Sequence, residues 1–309
     1  MTIVPDQSPA TAAPGGFPPA LTADQVRAAH KANTSAATAK LHAVMAQKLS
    51  AVRLQAFEDA SAKADNAHSW IVARYWYSVA YAESLYPALH YLEVGLRNAI
   101  YEAVATHLSP VNIGLPPCWL DWPEADTVLY RDAVRTSADD FLRVQSAKRA
   151  ILQNSHQVDA GRLVAELSFG FWTGLFAGHY GARAGDDASR KFWPHLLPVV
   201  FPNLPTELRA RTRLPEHLKA IRQLRNRAFH HEPLWRRKLK VDLELVMDTV
   251  SWLDPVLLSV ADVTSRAKAI GQEGVGVQEK RVRDFALKLF PPASSMVGAT
   301  GAIGGAVSG

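Results

Sequence analysis

The segment AHSWIVARYWYSVAYAESLYPALHYLEVGLRNAIYEAVATHL, which begins at Ala67, limits the folds open to this chain more than any other feature. Its apolar residues recur at helical spacing, and Leu85, Leu89, Leu92, Leu96, Ala99, Ile100 and Ala103 share one face. Pro87 lies near its middle and predicts a split or a kink there. LHAVMAQKLSAVRLQAFEDASAKA, from Leu41, is rich in Ala and Leu and holds neither Gly nor Pro. DTVLYRDAVRTSADDFLRVQSAKRAI, from Asp126, and VDLELVMDTVSWLDPVLLSVADVTSRAKAI, from Val241, carry helical periodicity, the latter with Pro255 inside it. GRLVAELSFGFWTGLFAGHYG, from Gly161, reads as a buried helix whose aromatic residues Phe169, Phe171, Trp172 and Phe176 belong to a core.

Strand signals are scarce, and Pro-rich connectors such as SPVNIGLPPCWLDWPE and FPNLPTE punctuate the helices. The expectation is one all-α domain over residues 22–290, with no solenoid period. A disordered tail rich in Pro, Ala and Gly is expected at 1–20, and a flexible Gly/Ala-rich tail at 291–309. Hydrophobic residues make up 48% of the chain and charged ones 20%, the balance of a soluble globular protein. No apolar run approaches the roughly 20 residues of a membrane helix. The start, MTIVPDQSPATAAPGGFPPA, lacks the basic and apolar regions of a secretory signal. Cys118 stands alone, which excludes an internal disulfide and a thiolate zinc cluster. Together these point to the cytoplasm and to no membrane partner.

The net charge of +5 is unevenly spread. Between Pro205 and Lys240 basic side chains, among them Arg222, Arg227, Arg236, Arg237 and Lys238, outnumber the acidic Glu207, Glu216 and Glu232. Such a segment attracts a polyanion and makes binding salt-sensitive. A solvated basic face with no partner fits the same charges.

Within it stands IRQLRNRAFHHEPLW, from Ile221 to Trp235. At about 100° per residue, Leu214, Leu218, Ile221, Leu224, Ala228 and Phe229 fall in one apolar arc, and Arg225 lands inside that arc. A buried guanidinium is costly unless it is paired or faces a cleft. Asn226 and His230, four apart, neighbour each other at the arc's edge. Pro233 disfavours helical geometry at Glu232, so His230 and His231 are expected in the last turn, where the helix dipole favours a cation. On the facing helix Glu93 lies at the margin of the apolar face, one turn from Arg97, with which it can pair; it is equally a partner for Arg225.

Two readings fit these residues. Cleavage of RNA without a metal needs a base for the ribose 2′-OH, an acid for the leaving oxygen and a cation for the phosphate. Histidine fills either proton role, and arginine clamps phosphate bidentately. Alternatively, Arg225 is a structural residue reaching a carboxylate on a neighbouring helix, and the histidines cap the helix end.

LSAVRLQAF near Leu49, YLEVGLRNAI at Tyr91, GRLVAELSFGFWTGLF at Gly161 and IRQLRNRAFHHEPLW, in that order, resemble the Abi-like (abortive infection) family of bacterial proteins, whose members carry HEPN-type helical domains. HEPN ribonucleases are marked by Arg, an adjacent polar residue, and His after four to six intervening residues. Arg225 and Asn226 fit that pattern, with His230 at a spacing of four and His231 at five. The resemblance implies a HEPN-like helical bundle with additional helices, and a metal-independent endoribonuclease toxin of phage defence that needs no cofactor. It implies Arg225, Asn226, His230 and His231 as catalytic residues, supported by Glu93, Arg97 and Asn98. It implies RNA as the partner, a homodimer with a composite active site, and an antitoxin or regulator. The broader HEPN group also holds non-catalytic members, which leaves an RNA-binding or protein-interaction module as the alternative.

Other constellations carry less. RAGDDASRK offers Asp186, Asp187 and Lys191, but one acidic pair in a loop is poor grounds for a metal-dependent nuclease. Adjacent histidines on a helix point apart, and no third ligand follows at metal spacing, which argues against zinc. Trp235 is read as structural, and neither a Ser/His/Asp pattern nor a phosphate-binding loop is present.

Overall fold

The computed structural model describes residues 21–59, 66–108, 118–121, 138–154, 156–181, 191–209 and 213–292. Helix α1, Ala23–Leu49, begins at a capping box in which Thr22 and Gln25 satisfy each other's backbone N–H groups. Although the segment from Leu41 holds neither Gly nor Pro, the helix stops at Leu49. Ser50 adopts φ 82°, which turns the chain before the short α2, Ala51–Gln55.

Helix α3, Ala67–Leu108, continues through Pro87, so of the split or kink expected there no split occurs. A helix-interior proline costs about 3 kcal/mol by removing one hydrogen bond and crowding the preceding turn. Against this, Leu85, Leu89, Leu92, Leu96 and Ile100 are all buried on one face. Each is worth about 1.5–3 kcal/mol relative to exposure, so burial outweighs the break. The Ser84 carbonyl, in the turn before Pro87, accepts a hydrogen bond from Ser265 Oγ at 2.9 Å.

Helix α4 is Ala138–Gln153, α5 Ala160–Glu166 and α6 Phe169–Gly174. The single buried helix predicted from Gly161 is thus two short ones. Leu167 is extended, and Ser168 accepts a hydrogen bond from the Phe171 backbone N–H, starting a new helix. The aromatic residues of this region are core, as expected: Phe169, Phe171, Trp172 and Phe176 are all buried. Helix α7 is Leu197–Val200, α8 Arg213–Phe229, α9 Leu239–Leu253 and α10 Pro255–Thr264. Pro255 begins α10 rather than interrupting a longer helix. Asp254 caps it by accepting from the Val256 and Leu257 N–H groups. Helix α11, Ala267–Leu289, is interrupted at Gly274, whose φ of 67° suits glycine.

The architecture is an all-α bundle. Helix α3 packs against α1, α9, α10 and α11, and also against α5, α6, α7 and α8. The main hydrophobic cluster follows α3, and a smaller one joins Ala37 and Leu41 of α1 to Val72 of α3 and Val282 of α11. Among the described residues the only β pairing is an isolated bridge between Gly181 and Trp193. No described helix is long and apolar enough to cross a membrane. The tail predicted at 1–20, most of the tail at 291–309, the start of the helix predicted from Asp126, and the Asp186–Asp187 pair lie outside the described residues.

Candidate functional site

Helix α8 buries Leu214, Leu218, Ile221, Leu224 and Ala228 against α3, α6 and α9, as its periodicity predicts. Phe229 departs from the predicted arc and is 39% exposed. Its ring lies beside Tyr86 of α3, centroids 5.9 Å apart, and the Arg225 guanidinium sits 4.4 Å over it.

The two histidines follow the last helical residue instead of occupying the last turn. The His230 N–H donates to the Asn226 carbonyl at 2.8 Å, His231 to Ala228 at 3.3 Å and Glu232 to Arg227 at 2.8 Å. His231 has φ 57°. These bonds make a Schellman motif, with histidine at the left-handed position that glycine usually fills. The apolar contact that commonly closes this motif is replaced by an ion pair, Arg227 to Glu232 at 3.5 Å. The segment is anchored on both sides. Arg53 donates to the His231 carbonyl at 2.9 Å, and the Leu234 N–H donates to Ser78 Oγ at 3.2 Å. Leu234 is fully buried, so the left-handed turn is held from below.

Arg225 lies where its place in the apolar arc requires, half-buried between α8 and α3. Its Nε and Nη2 donate to the two Glu93 oxygens at 3.4 and 3.5 Å. The side chains of Arg225 and Glu93 keep 27% and 24% exposure. These bonds are long, and Nη1 has no partner among the described residues, so the guanidinium is oriented but not used up. Glu93 makes no ion pair with Arg97, contrary to the pairing expected along α3. Arg97 Nε is buried without a hydrogen-bond partner, and Asn98 is exposed. Asn226, His230 and His231 are also exposed, and none of their side chains bonds to another described residue.

The basic stretch divides. Arg237 is committed to Asp242 through two bonds of 2.6 Å, and that carboxylate raises the guanidinium's already high pKa. Arg236 donates to the Glu58 carbonyl at 2.8 Å and lies 4.6 Å over Trp235. Arg74 covers the same indole at 4.5 Å, and Trp235 Nε1 donates to the Ala56 carbonyl, so the tryptophan is structural as expected. Arg222 runs beside Gly170 of α6. Lys238 is exposed ahead of α9.

Beside His231 opens a cleft of about 620 Å³, lined also by Val79, Tyr86, Pro87, Phe229 and Glu232 among others. An ion pair between Glu83 and Arg266 lies at its edge. The sequence reading missed this cleft and its exposed aromatic residue, Tyr86. The signal was available: Tyr86, His90 and Glu93 form a stripe at i, i+4 and i+7 on α3, flanking the apolar face. No group of three or more His, Cys, Asp or Glu side chains able to hold a metal occurs among the described residues. No family model, curated protein or solved structure matches this chain.

Arg225 thus offers a partly exposed cation able to bind a phosphate, and the turn that ends the same helix carries two exposed imidazoles able to take or give protons, of which His231 lines the cleft.

Proposed function

We propose that this chain is a metal-independent endoribonuclease of the HEPN type, akin to the Abi-like family and acting in the cytoplasm in phage defence. The observation that carries the reading is that Arg225 stays partly exposed between Glu93 and Phe229, at the helix end where Asn226, His230 and His231 are all open to solvent. Arg225 binds the scissile phosphate through the edge that Glu93 leaves open. His230 or His231 handles the protons, taking one from the 2′-OH and supplying one to the leaving oxygen. Asn226 orients the ribose or phosphate, and Glu93 is a positioning residue that holds the guanidinium flat. Arg222, Arg227, Arg236 and Lys238 add field along the RNA backbone. A second copy completing the site and a regulator restraining it belong to the same reading.

The test is incubation of the purified protein with total RNA, with and without EDTA. The expected result is discrete cleavage in both, leaving 2′,3′-cyclic phosphate or its 3′-phosphate hydrolysis product, with DNA left intact. No cleavage by the wild type, or cleavage equal in wild type and His230→Ala/His231→Ala, sinks it. A second reading has its own support. Arg225 is paired with Glu93 across α8 and α3, and the histidines close the turn that ends α8, which are structural uses of the same residues and fit a non-catalytic RNA-binding or protein-interaction module.

A further inference from the structure

Single exposed apolar side chains are ordinary on a protein surface, but two exposed aromatic rings in mutual contact beside an arginine are not. Tyr86 is 53% exposed and Phe229 39%. Their centroids lie 5.9 Å apart, and His90, also exposed, continues the array at 5.9 Å from Tyr86 with its ring tilted by only 25°. The Arg225 guanidinium caps the other end, 4.4 Å over Phe229. The array bridges α3 and α8, and Tyr86 and Phe229 form one wall of the cleft that also reaches His231.

We propose that Tyr86, Phe229 and His90 form a stacking platform for an unpaired nucleobase adjoining the phosphate held by Arg225. This rests on the RNA reading of the same site. Every base has a π face that stacks on an aromatic ring, whereas the bases of a duplex have their faces covered by neighbours. The platform therefore selects single-stranded RNA, and tolerates any sequence, at the nucleotide next to the scissile bond. Arginine over one ring places the phosphate-binding charge next to the base-binding surface. Apolar rings with no cation nearby would instead suit a protein partner, and here the Arg225 guanidinium lies directly over the Phe229 ring.

The experiment uses the full chain and a short 2′-O-methyl RNA carrying 2-aminopurine, which cannot be cleaved through a 2′-OH and whose fluorescence falls when the base stacks. Binding to wild type should quench the probe, and the same strand annealed to its complement should bind weakly. Tyr86→Ala and Phe229→Ala should each weaken binding by on the order of tenfold or more and lose the quenching, as for other aromatic base contacts. Tyr86→Phe should keep both, and circular dichroism should find all three variants folded. No binding, binding without quenching, or wild-type binding by Tyr86→Ala overturns the platform. A wild-type dimer that becomes monomeric in Tyr86→Ala with RNA binding unchanged also overturns it, and makes the surface a protein interface. Cleavage of unmodified RNA is measured in parallel. Cleavage that is insensitive to Tyr86→Ala removes the platform and leaves the nuclease. Quenching that depends on Tyr86 without any cleavage removes the nuclease and leaves the platform.

Discussion

Glu93 of α3 and Arg225 of α8, 132 residues apart in sequence, face each other with both carboxylate oxygens 3.4 and 3.5 Å from the guanidinium. The pair is partly exposed, so its net worth to stability is small, about 1 kcal/mol or less. Its geometric effect is larger, because it fixes which edge of the guanidinium is free. Glu93→Gln should therefore leave the unfolding free energy within about 1 kcal/mol of wild type. Single-turnover RNA cleavage should fall by on the order of tenfold as the clamp loses its orientation. Wild-type cleavage by a folded Glu93→Gln protein would remove Glu93 from the site.

His231 separates strain from chemistry. A non-glycine residue in the left-handed region costs roughly 1–2 kcal/mol, and glycine returns part of that gain as unfolded-state entropy. His231→Gly should be neutral to about 1 kcal/mol stabilising, and His231→Val should destabilise, by chemical denaturation. A loss of stability in His231→Gly would mean that the imidazole makes contacts worth more than the strain.

Substitutions at His230 and His231 decide which histidine acts. His230→Ala and His231→Ala, made separately, should differ, the proton-transfer residue losing about 10²–10⁴ in rate. If His231→Gly keeps its activity, the role falls to His230. Rates must be read from folded protein, with melting curves taken beside them.

Charge on the segment after the turn should act on two different properties. Reversing Arg236 and Lys238 should weaken RNA binding and flatten its salt dependence without unfolding the chain. Arg237→Ala should instead destabilise by about 1–3 kcal/mol, because it strands the mostly buried Asp242 carboxylate. Equal effects of all three on melting temperature would contradict this division.

Acid should weaken the fold through His217. Burial lowers its pKa from the ordinary value of 6.5, and its Nε2 lies 2.7 Å from Thr249 Oγ1. The folded state keeps the ring neutral while the unfolded chain takes up a proton, so stability is full above about pH 6.5 and falls as pH drops below it. Burial shifts His42 and His195 the same way, with His68 and His107 respectively as second causes. Melting temperature should therefore decline from pH 7.5 to 5.5, and the decline should shrink in His217→Gln. An unchanged slope in that variant would shift the effect to the other histidines.

Several features were legible in the chain alone because they depend on neighbours in sequence. The spacing of Leu214, Leu218, Ile221, Leu224 and Ala228 defines the buried face of α8, and an arginine at 225 then falls inside that arc. Pro233 requires the helix to end near the histidines, and the apolar face of α3 foretells its central place. What tertiary structure alone decided is which groups meet. Glu93 turns to Arg225 and not to Arg97, Arg237 goes to Asp242, and Phe229 leaves the core to lie against Tyr86. It also decided where local pattern yields: α3 runs through Pro87, while the predicted helices break at Ser50 and at Leu167. Periodicity registers which face of a helix is apolar. The partner across the interface, and whether a backbone break costs less than the burial it would forfeit, depend on residues far away in the chain.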